Sequence, residues 1–215
     1  GATATGTVAL AHNGNLTNTA ALHDLVRQQV GTQVGELRYG NTSDTALITA
    51  LLGADPDTAL EQAAVNVLKS LCGAFSLIFS DESTLYAARD PQGIRPLVLG
   101  RLDRGWVVAS ETAALDIVGA SFVREIEPGE LVAIDEAGLR ARRFAEADPK
   151  GCLFEFVYLA RPDTHIGGRS IHATRVDVGR RLAREHPVEA DLVIPVPESG
   201  TPAAVGFAEE SGIPF

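Results

Sequence analysis

Near the start of the chain stands the run Ala11-His12-Asn13-Gly14-Asn15-Leu16-Thr17-Asn18. The Asn13 side chain offers an amide NH2 as a donor. The Gly14 N–H is a second donor, with no side chain to keep a ligand away from the backbone. Two neutral donors aimed at one point are what a developing oxyanion needs in acyl transfer. An Asn-Gly turn with an N-capping Asn uses the same residues, so the pair alone leaves both readings open. Toward the other end, Pro197-Glu198-Ser199-Gly200-Thr201 follows the apolar run 191–196. A small polar loop at the C-terminal end of a buried strand is where α/β folds hold phosphate or metal ligands. The Ser199 hydroxyl suits that role, and it equally suits a helix N-cap.

The elements that would carry these residues follow from periodicity. Thr7–Leu10 reads as a strand, residues 11–18 as a polar turn, and Thr19–Gln29 as a helix with Ala20, Leu22, Leu25 and Val26 at helical spacing. Thr42 or Ser43 is placed to cap a helix over Ala46–Leu52 that stops at Gly53. A third helix spans Asp57–Leu71, with Leu60, Ala63, Ala64, Val67, Leu68 and Leu71 on one face. The period then becomes two. Ala74–Phe79 and Thr84–Ala88 form a hairpin around Asp81-Glu82-Ser83, and short strands follow at 96–102, 105–109, 121–126, 130–135 and 139–144. A short helix begins at Ser110-Glu111-Thr112. Helices followed by a strand meander define an α+β layered domain over residues 1–149. Residues 150–215 change character. An aromatic-rich segment, a Gly-rich loop at 166–170, a helix over Thr174–Glu185, an apolar strand over Asp191–Val196 and a helix over Pro202–Ser211 read as the beginning of an α/β domain.

Composition narrows the classes. The net charge is −10, and residues 151–215 hold six Arg and no Lys against nine acids, so neither half offers a nucleic-acid surface. No run reaches the length of a membrane span, and no secretory signal pattern opens the chain. Two cysteines, Cys72 and Cys152, do not make a secreted disulfide framework and fit a reducing cytoplasm. There is no Met in 215 residues. With Gly1 at one end and Phe215 straight after a helical pattern at the other, the chain reads as a piece of a longer protein.

The run 11–18 resembles the glutamine-site loop of the class II, N-terminal-nucleophile amidotransferases. Arg89-Asp90-Pro91-Gln92-Gly93-Ile94-Arg95-Pro96-Leu97 and Ala109-Ser110-Glu111-Thr112-Ala113-Ala114 narrow the likeness. Phe154-Glu155-Phe156-Val157-Tyr158-Leu159-Ala160-Arg161-Pro162-Asp163, with Val196-Pro197-Glu198-Ser199-Gly200, directs it to the amidophosphoribosyltransferase family over essentially the whole chain. That resemblance implies an amidotransferase-like layered sandwich followed by the start of a phosphoribosyltransferase-like domain. It implies that ammonia from glutamine displaces pyrophosphate from phosphoribosyl pyrophosphate to give 5-phosphoribosylamine, the first committed step of purine synthesis. By position, Asn13 and Gly14 match the oxyanion hole. Asp44 matches the carboxylate that holds the substrate's α-amino group, with a helix-start Asp as the plain alternative. Ser199 matches a position near phosphoribosyl pyrophosphate and Mg2+. Cys152 matches one ligand of a [4Fe–4S] cluster found in one branch, or else is a small packed residue. Glutamine, phosphoribosyl pyrophosphate and further copies of the complete protein are the implied partners, with no nucleic acid and no membrane.

The departures bear on activity. The family's nucleophile is an N-terminal Cys whose own α-amine is the base, and residue 1 here is Gly. Cys72-Gly73 imitates that start but has no free α-amine, and its place between a helix and a strand suits a packed thiol. The family's phosphoribosyl pyrophosphate loop and the remaining cluster cysteines are expected beyond Phe215, so these 215 residues alone are expected to be inactive. Two other readings stand beside this one. Another class II amidotransferase, such as a glucosamine-phosphate synthase, would lack the Pro-Glu-Ser-Gly unit at 197–200. A non-catalytic ligand-binding relative would lack the nucleophile in its full reading frame.

Overall fold

The protein is seen in a computed structural model that describes residues 2–3, 6–31 and 43–215. In chain order its strands are β1 (Ala2–Thr3), β2 (Gly6–Thr7), β3 (Ala9–Leu16), β4 (Gly73–Ser80), β5 (Leu85–Arg89), β6 (Val98–Leu102), β7 (Gly105–Ala109), β8 (Ser121–Glu125), β9 (Glu130–Asp135), β10 (Gly138–Arg143), β11 (His165–Ile166) and β12 (Arg169–Ser170). The helices are α1 (Thr19–Gln29), α2 (Asp44–Leu52), α3 (Leu60–Leu68), α4 (Thr112–Val118), α5 (Ile171–Glu185) and α6 (Thr201–Ser211), with a π-helical turn at Glu155–Leu159. The chain divides into two compact units, Gly1–Leu99 with Arg124–Gly151, and Gly100–Val123 with Cys152–Phe215.

Period-two alternation builds the sheet of the first unit. Its five strands run antiparallel in the order β10-β9-β5-β4-β3, which leaves β3 at an edge among the described strands. Leu16, Phe75, Leu77, Phe79, Tyr86, Ala88, Leu131 and Ala133 lie on one face. They are buried against Leu22 and Val26 of α1, Leu47, Ile48, Leu51 and Leu52 of α2, and Leu60, Ala64, Val65, Val67 and Leu68 of α3. Removing these apolar groups from water is the main drive for this layer, about 25 cal/mol for each Å2 buried. The layered α+β sandwich expected from the sequence is therefore present. Ser43 caps α2 by accepting the Ala46 N–H at 3.2 Å, and Gly53 ends that helix. Thr42, the other cap candidate, lies outside the described residues. Helix α3 is shorter at both ends than the apolar spacing suggested, because an Asx turn at Asp55 precedes it and Lys69 closes it.

Two expectations are corrected here. Residues 11–16 are not a turn: β3 runs to Leu16 and pairs residue for residue with β4 down to Leu16 opposite Gly73. Ladder pairing overrides the turn preference of Asn-Gly, and only Asn18 and its neighbours turn into α1. Cys72 is not a packed thiol but exposed, with its N–H donating to Asn18 Oδ1 at 3.0 Å and its carbonyl accepting from the Thr17 N–H at 2.8 Å.

In the second unit, α5 crosses α6 where two glycines meet the opposite backbone. A Cβ on Gly179 would stand 1.8 Å from the Ala203 oxygen, and one on Gly206 would stand 2.0 Å from that of Val176. Glu111 Oε2 accepts the Arg161 N–H at 3.0 Å and the Thr164 hydroxyl at 2.7 Å, while Thr112 Oγ1 accepts the His165 N–H at 3.0 Å. Arg175, itself buried, donates to the carbonyls of Phe156 (2.7 Å) and Ala160 (2.9 Å) and so ties α5 to the π-helical turn. The expected buried strand over Asp191–Val196 is not formed. The Val193 N–H donates to the Pro214 carbonyl at 2.8 Å, but no strand pairs with the run among the described residues. Ile194 and Val196 are 77% and 82% exposed. Apolar content cannot make a strand without a ladder partner.

Candidate active site

The first unit places Asn13, Gly14 and Asp44 along the edge of β3 that pairs with no strand among the described residues. Gly14 lies opposite Phe75 in the register. The Phe75 N–H donates to Asp90 Oδ2 at 3.2 Å, and the Phe75 carbonyl accepts from the Asp90 N–H at 2.8 Å. Both backbone groups of Phe75 are thus spent on the β5 side. The Gly14–Phe75 pair is a non-hydrogen-bonded one, and the Gly14 N–H points outward from the sheet edge. The Leu16 N–H, two residues on, points the same way and donates to Asp44 Oδ2 at 2.9 Å. The outward amide of Gly14 has no protein partner among the described residues. Gly14 is required for a reason the sequence does not show: its φ is +142°, and a Cβ would stand 2.0 Å from the Ala74 carbonyl oxygen.

Alternation along β3 puts the Asn13 side chain on the face away from the helices. There the register sets Asn13, Ser76 and Arg89 in a row across three strands. The segment after β5 folds over this row. The Arg95 carbonyl accepts the Ser76 hydroxyl at 3.1 Å and the Arg89 Nε–H at 2.8 Å. The Arg95 Nε–H in turn donates to Asn13 Oδ1 at 3.2 Å. A guanidinium has donors only, so the amide oxygen must face Arg95 and the amide NH2 must face away. Arg89 is held by Glu125 (3.1 Å) and by the carbonyls of Ile126 and Gly93, both at 3.0 Å. Asp90, fully buried, binds the loop from inside: its oxygens accept the N–H groups of Phe75, Gln92 and Ile94. The Arg89–Leu97 motif is thus a scaffold over the site. The sequence did not reveal Arg89, Asp90 and Arg95 as supports of Asn13. The signal was present in that motif, but only the register shows what it lies against.

His12 faces the helical side of the same strand. One ring nitrogen bonds the Ala74 backbone, while Nε2 is buried without a partner among the described residues. Burial holds its pKa below the ordinary histidine value, against a smaller opposing pull from the Asp44 carboxylate. The imidazole is neutral at neutral pH. Asp44 opens α2 directly after the Ser43 cap, so its charge also lies at the favourable end of the helix dipole.

Asn13, Gly14 and Asp44 are brought together. Ser199 and Cys152 belong to the second unit. Ser199 lies in the turn before α6, but the cap position is Gly200, and Ser199 makes no capping bond. Cys152 is half-exposed, its carbonyl accepting the Glu155 N–H at 3.2 Å. No group of three His, Cys, Asp or Glu suited to a metal ion occurs among the described residues. One neutral hydroxyl and one thiol do not themselves constitute a Mg2+ or an iron–sulfur site, and no chemical step is derived through either group.

An edge amide thus lies beside an oriented carboxamide, with a carboxylate farther along the same edge of a layered α+β fold. Comparison with known proteins gives the class of the chain. The family described as "Glutamine amidotransferase domain" matches residues 2–117, more than half of the chain, and the chain belongs to that family. Its relatives are amidophosphoribosyltransferases. That of Mycobacterium tuberculosis is 65% identical over 99% of this chain and 41% of its own length. That of Bacillus subtilis is 40% identical over 98% of this chain and 43% of its own. The solved glutamine phosphoribosylpyrophosphate amidotransferase of B. subtilis, complexed with ADP and GMP, superposes with a TM-score of 0.88 at 39% identity, covering 97% of this chain and 45% of that one. The chain thus spans about two-fifths of the length of the curated relatives it matches. No helix among the described residues is long and apolar enough to cross a membrane.

Proposed function

We propose that the complete protein is an amidophosphoribosyltransferase: it hydrolyses glutamine, and the ammonia released displaces pyrophosphate from phosphoribosyl pyrophosphate to give 5-phosphoribosylamine. The observation that carries the glutamine half is the pairing of two donors without a partner among the described residues at the β3 edge, the outward Gly14 N–H and the Asn13 amide turned away from Arg95. Attack on the glutamine side-chain carbonyl places negative charge on its oxygen, and these donors receive it. Asp44 lies along the same edge, next to the Leu16 amide. Two residues of strand separate the Gly14 and Leu16 amides by about 7 Å. That is comparable with the span from the ammonium to the side-chain amide of an extended glutamine. Asp44 then holds the ammonium while Asn13 and Gly14 hold the oxyanion.

The nucleophile is read as an N-terminal Cys of the complete protein, with its own α-amine as base. Cys72 is no substitute: its thiol has no free α-amine beside it. Ser199 near Mg2+ and phosphoribosyl pyrophosphate, and Cys152 on a [4Fe–4S] cluster, belong to the same reading, each as one ligand in a site completed by other residues. A cytoplasmic location and a homo-oligomer complete it. The 65% identity over nearly the whole chain supports the transferase half.

The test is to supply the full-length protein with glutamine, phosphoribosyl pyrophosphate and Mg2+ and follow glutamate and pyrophosphate together. Equal formation of both, with ammonia able to replace glutamine for pyrophosphate release, is expected. Glutamate release without phosphoribosyl pyrophosphate consumption would point to another amidotransferase, and no glutamate release would point to a non-catalytic relative.

A further inference from the structure

The Arg95 side chain reaches Asn13, and its backbone is fixed where it must be for that reach. Its carbonyl is held from below by two side chains of the row on which Asn13 stands: the Ser76 hydroxyl at 3.1 Å and Arg89 Nε at 2.8 Å. Arg89 cannot drift, because Glu125, Ile126 and Gly93 take its other donors. The turn that delivers Arg95 is wound on the buried Asp90 carboxylate, which accepts the Gln92 and Ile94 N–H groups. This is a rigid arm ending in a donor, and the donor meets the one atom of Asn13 that an oxyanion site does not use.

An isolated asparagine amide presents oxygen or nitrogen to a ligand with little preference, and the wrong face would set a carbonyl oxygen against a developing oxyanion. We propose that Arg95 is a positioning residue for glutamine hydrolysis: by donating to Asn13 Oδ1 it holds the amide in the orientation that points NH2 at the substrate. Arg95 acts through Asn13 and does not touch the reacting atoms. The inference rests on the oxyanion reading of Asn13. It adds that the orientation is imposed from outside the strand.

A double-mutant cycle in the full-length protein tests it, with steady-state glutamate release as the readout. Asn13→Ala is expected to lower kcat by about 10²–10³-fold. Arg95→Ala should lower kcat by about 10-fold or more with the KM for glutamine within roughly twofold, since misorientation affects the transition state more than ground-state binding. In the Asn13→Ala background, Arg95→Ala should have no further effect, because nothing remains to orient. Arg95→Lys keeps a donor at the end of a flexible stem and should recover part of the loss. It also stands in should Arg95→Ala fail to fold, judged by its circular dichroism. A wild-type kcat in both Arg95 variants would overturn the proposal. So would a full Arg95→Ala loss persisting without Asn13, which would mean that Arg95 acts by its charge or through the fold. An undiminished kcat in Asn13→Ala alone would instead overturn the oxyanion reading beneath it.

Discussion

The Leu16 N–H donates to Asp44 Oδ2 at 2.9 Å, across 28 residues of sequence. The bond fixes the start of α2 to the end of β3 and leaves Asp44 Oδ1 without a protein partner among the described residues. One oxygen anchors the carboxylate, and on the proposed reading the other receives the substrate's ammonium. Asp44→Asn keeps an acceptor for Leu16 and removes the charge. In the full-length protein it should raise the KM for glutamine about 10–100-fold, the worth of a charge-assisted hydrogen bond of roughly 1.5–3 kcal/mol. Steady-state kinetics check this, and an unchanged KM would remove Asp44 from the site.

Asn13→Ala should separate the two half-reactions. Glutamine-dependent synthesis of phosphoribosylamine should fall with the glutaminase rate, while synthesis from added ammonia continues, because on the proposed reading the amide serves only the hydrolytic oxyanion. Equal loss of both would show Asn13 to be a structural member of the Ser76–Arg89 row.

The neutral His12 makes stability depend on pH. Its folded-state pKa is lowered, chiefly by burial. Between that value and the unfolded one the unfolded chain binds more protons, so stability is full above the unfolded pKa and declines as pH falls toward the folded one. The thermal midpoint should therefore drop as pH is taken down from neutrality through the ordinary histidine range. His12→Gln should flatten that slope. An equally steep decline in His12→Gln would assign the slope to other groups.

Glu111 should be the weak point of the second unit. Removing its carboxylate strands the Arg161 N–H and the buried Thr164 hydroxyl. Glu111→Ala should cost about 1–3 kcal/mol in local stability. Amide exchange at Arg161 and His165 should accelerate in this variant but not in Glu185→Ala, a partner in an exposed pair. Unchanged exchange at Arg161 would mean that the turn at Pro162 holds itself.

Much of this was legible in the chain. The helical and strand periods found α1, α2, the β4–β5 hairpin, β9 and β10, because one buried face forces the pattern into the sequence. Asn13, Gly14 and Asp44 were legible as residue types, and Ser43 as a cap. What was not legible depends on partners distant in sequence. That Asn13 lies in a strand is decided by β4, some sixty residues later. That Arg95 faces Asn13 is decided by the pairing of Ser76 with both β3 and β5. The run 191–196 failed in the opposite sense, since its composition described a buried environment that the described residues do not supply.

The position of β3 at the margin of its sheet has a consequence for coexistence with other chains. An outward amide with no partner among the described residues does not discriminate between a small ligand and the backbone of an intruding strand, and a sheet edge left unpaired is the usual starting point of aggregation. On the proposed reading, burying that margin under a permanent strand or helix would shut out the substrate as well. The defence left is in the neighbouring side chains. His12, Asn13, Gly14 and Asn15 give an extended peptide little apolar surface on which to settle, whereas a free amino acid needs only the two polar ends of the gap. On the proposed reading the polar character of this stretch serves the substrate as well as solubility, and an apolar replacement at Asn15 would make the chain prone to self-association.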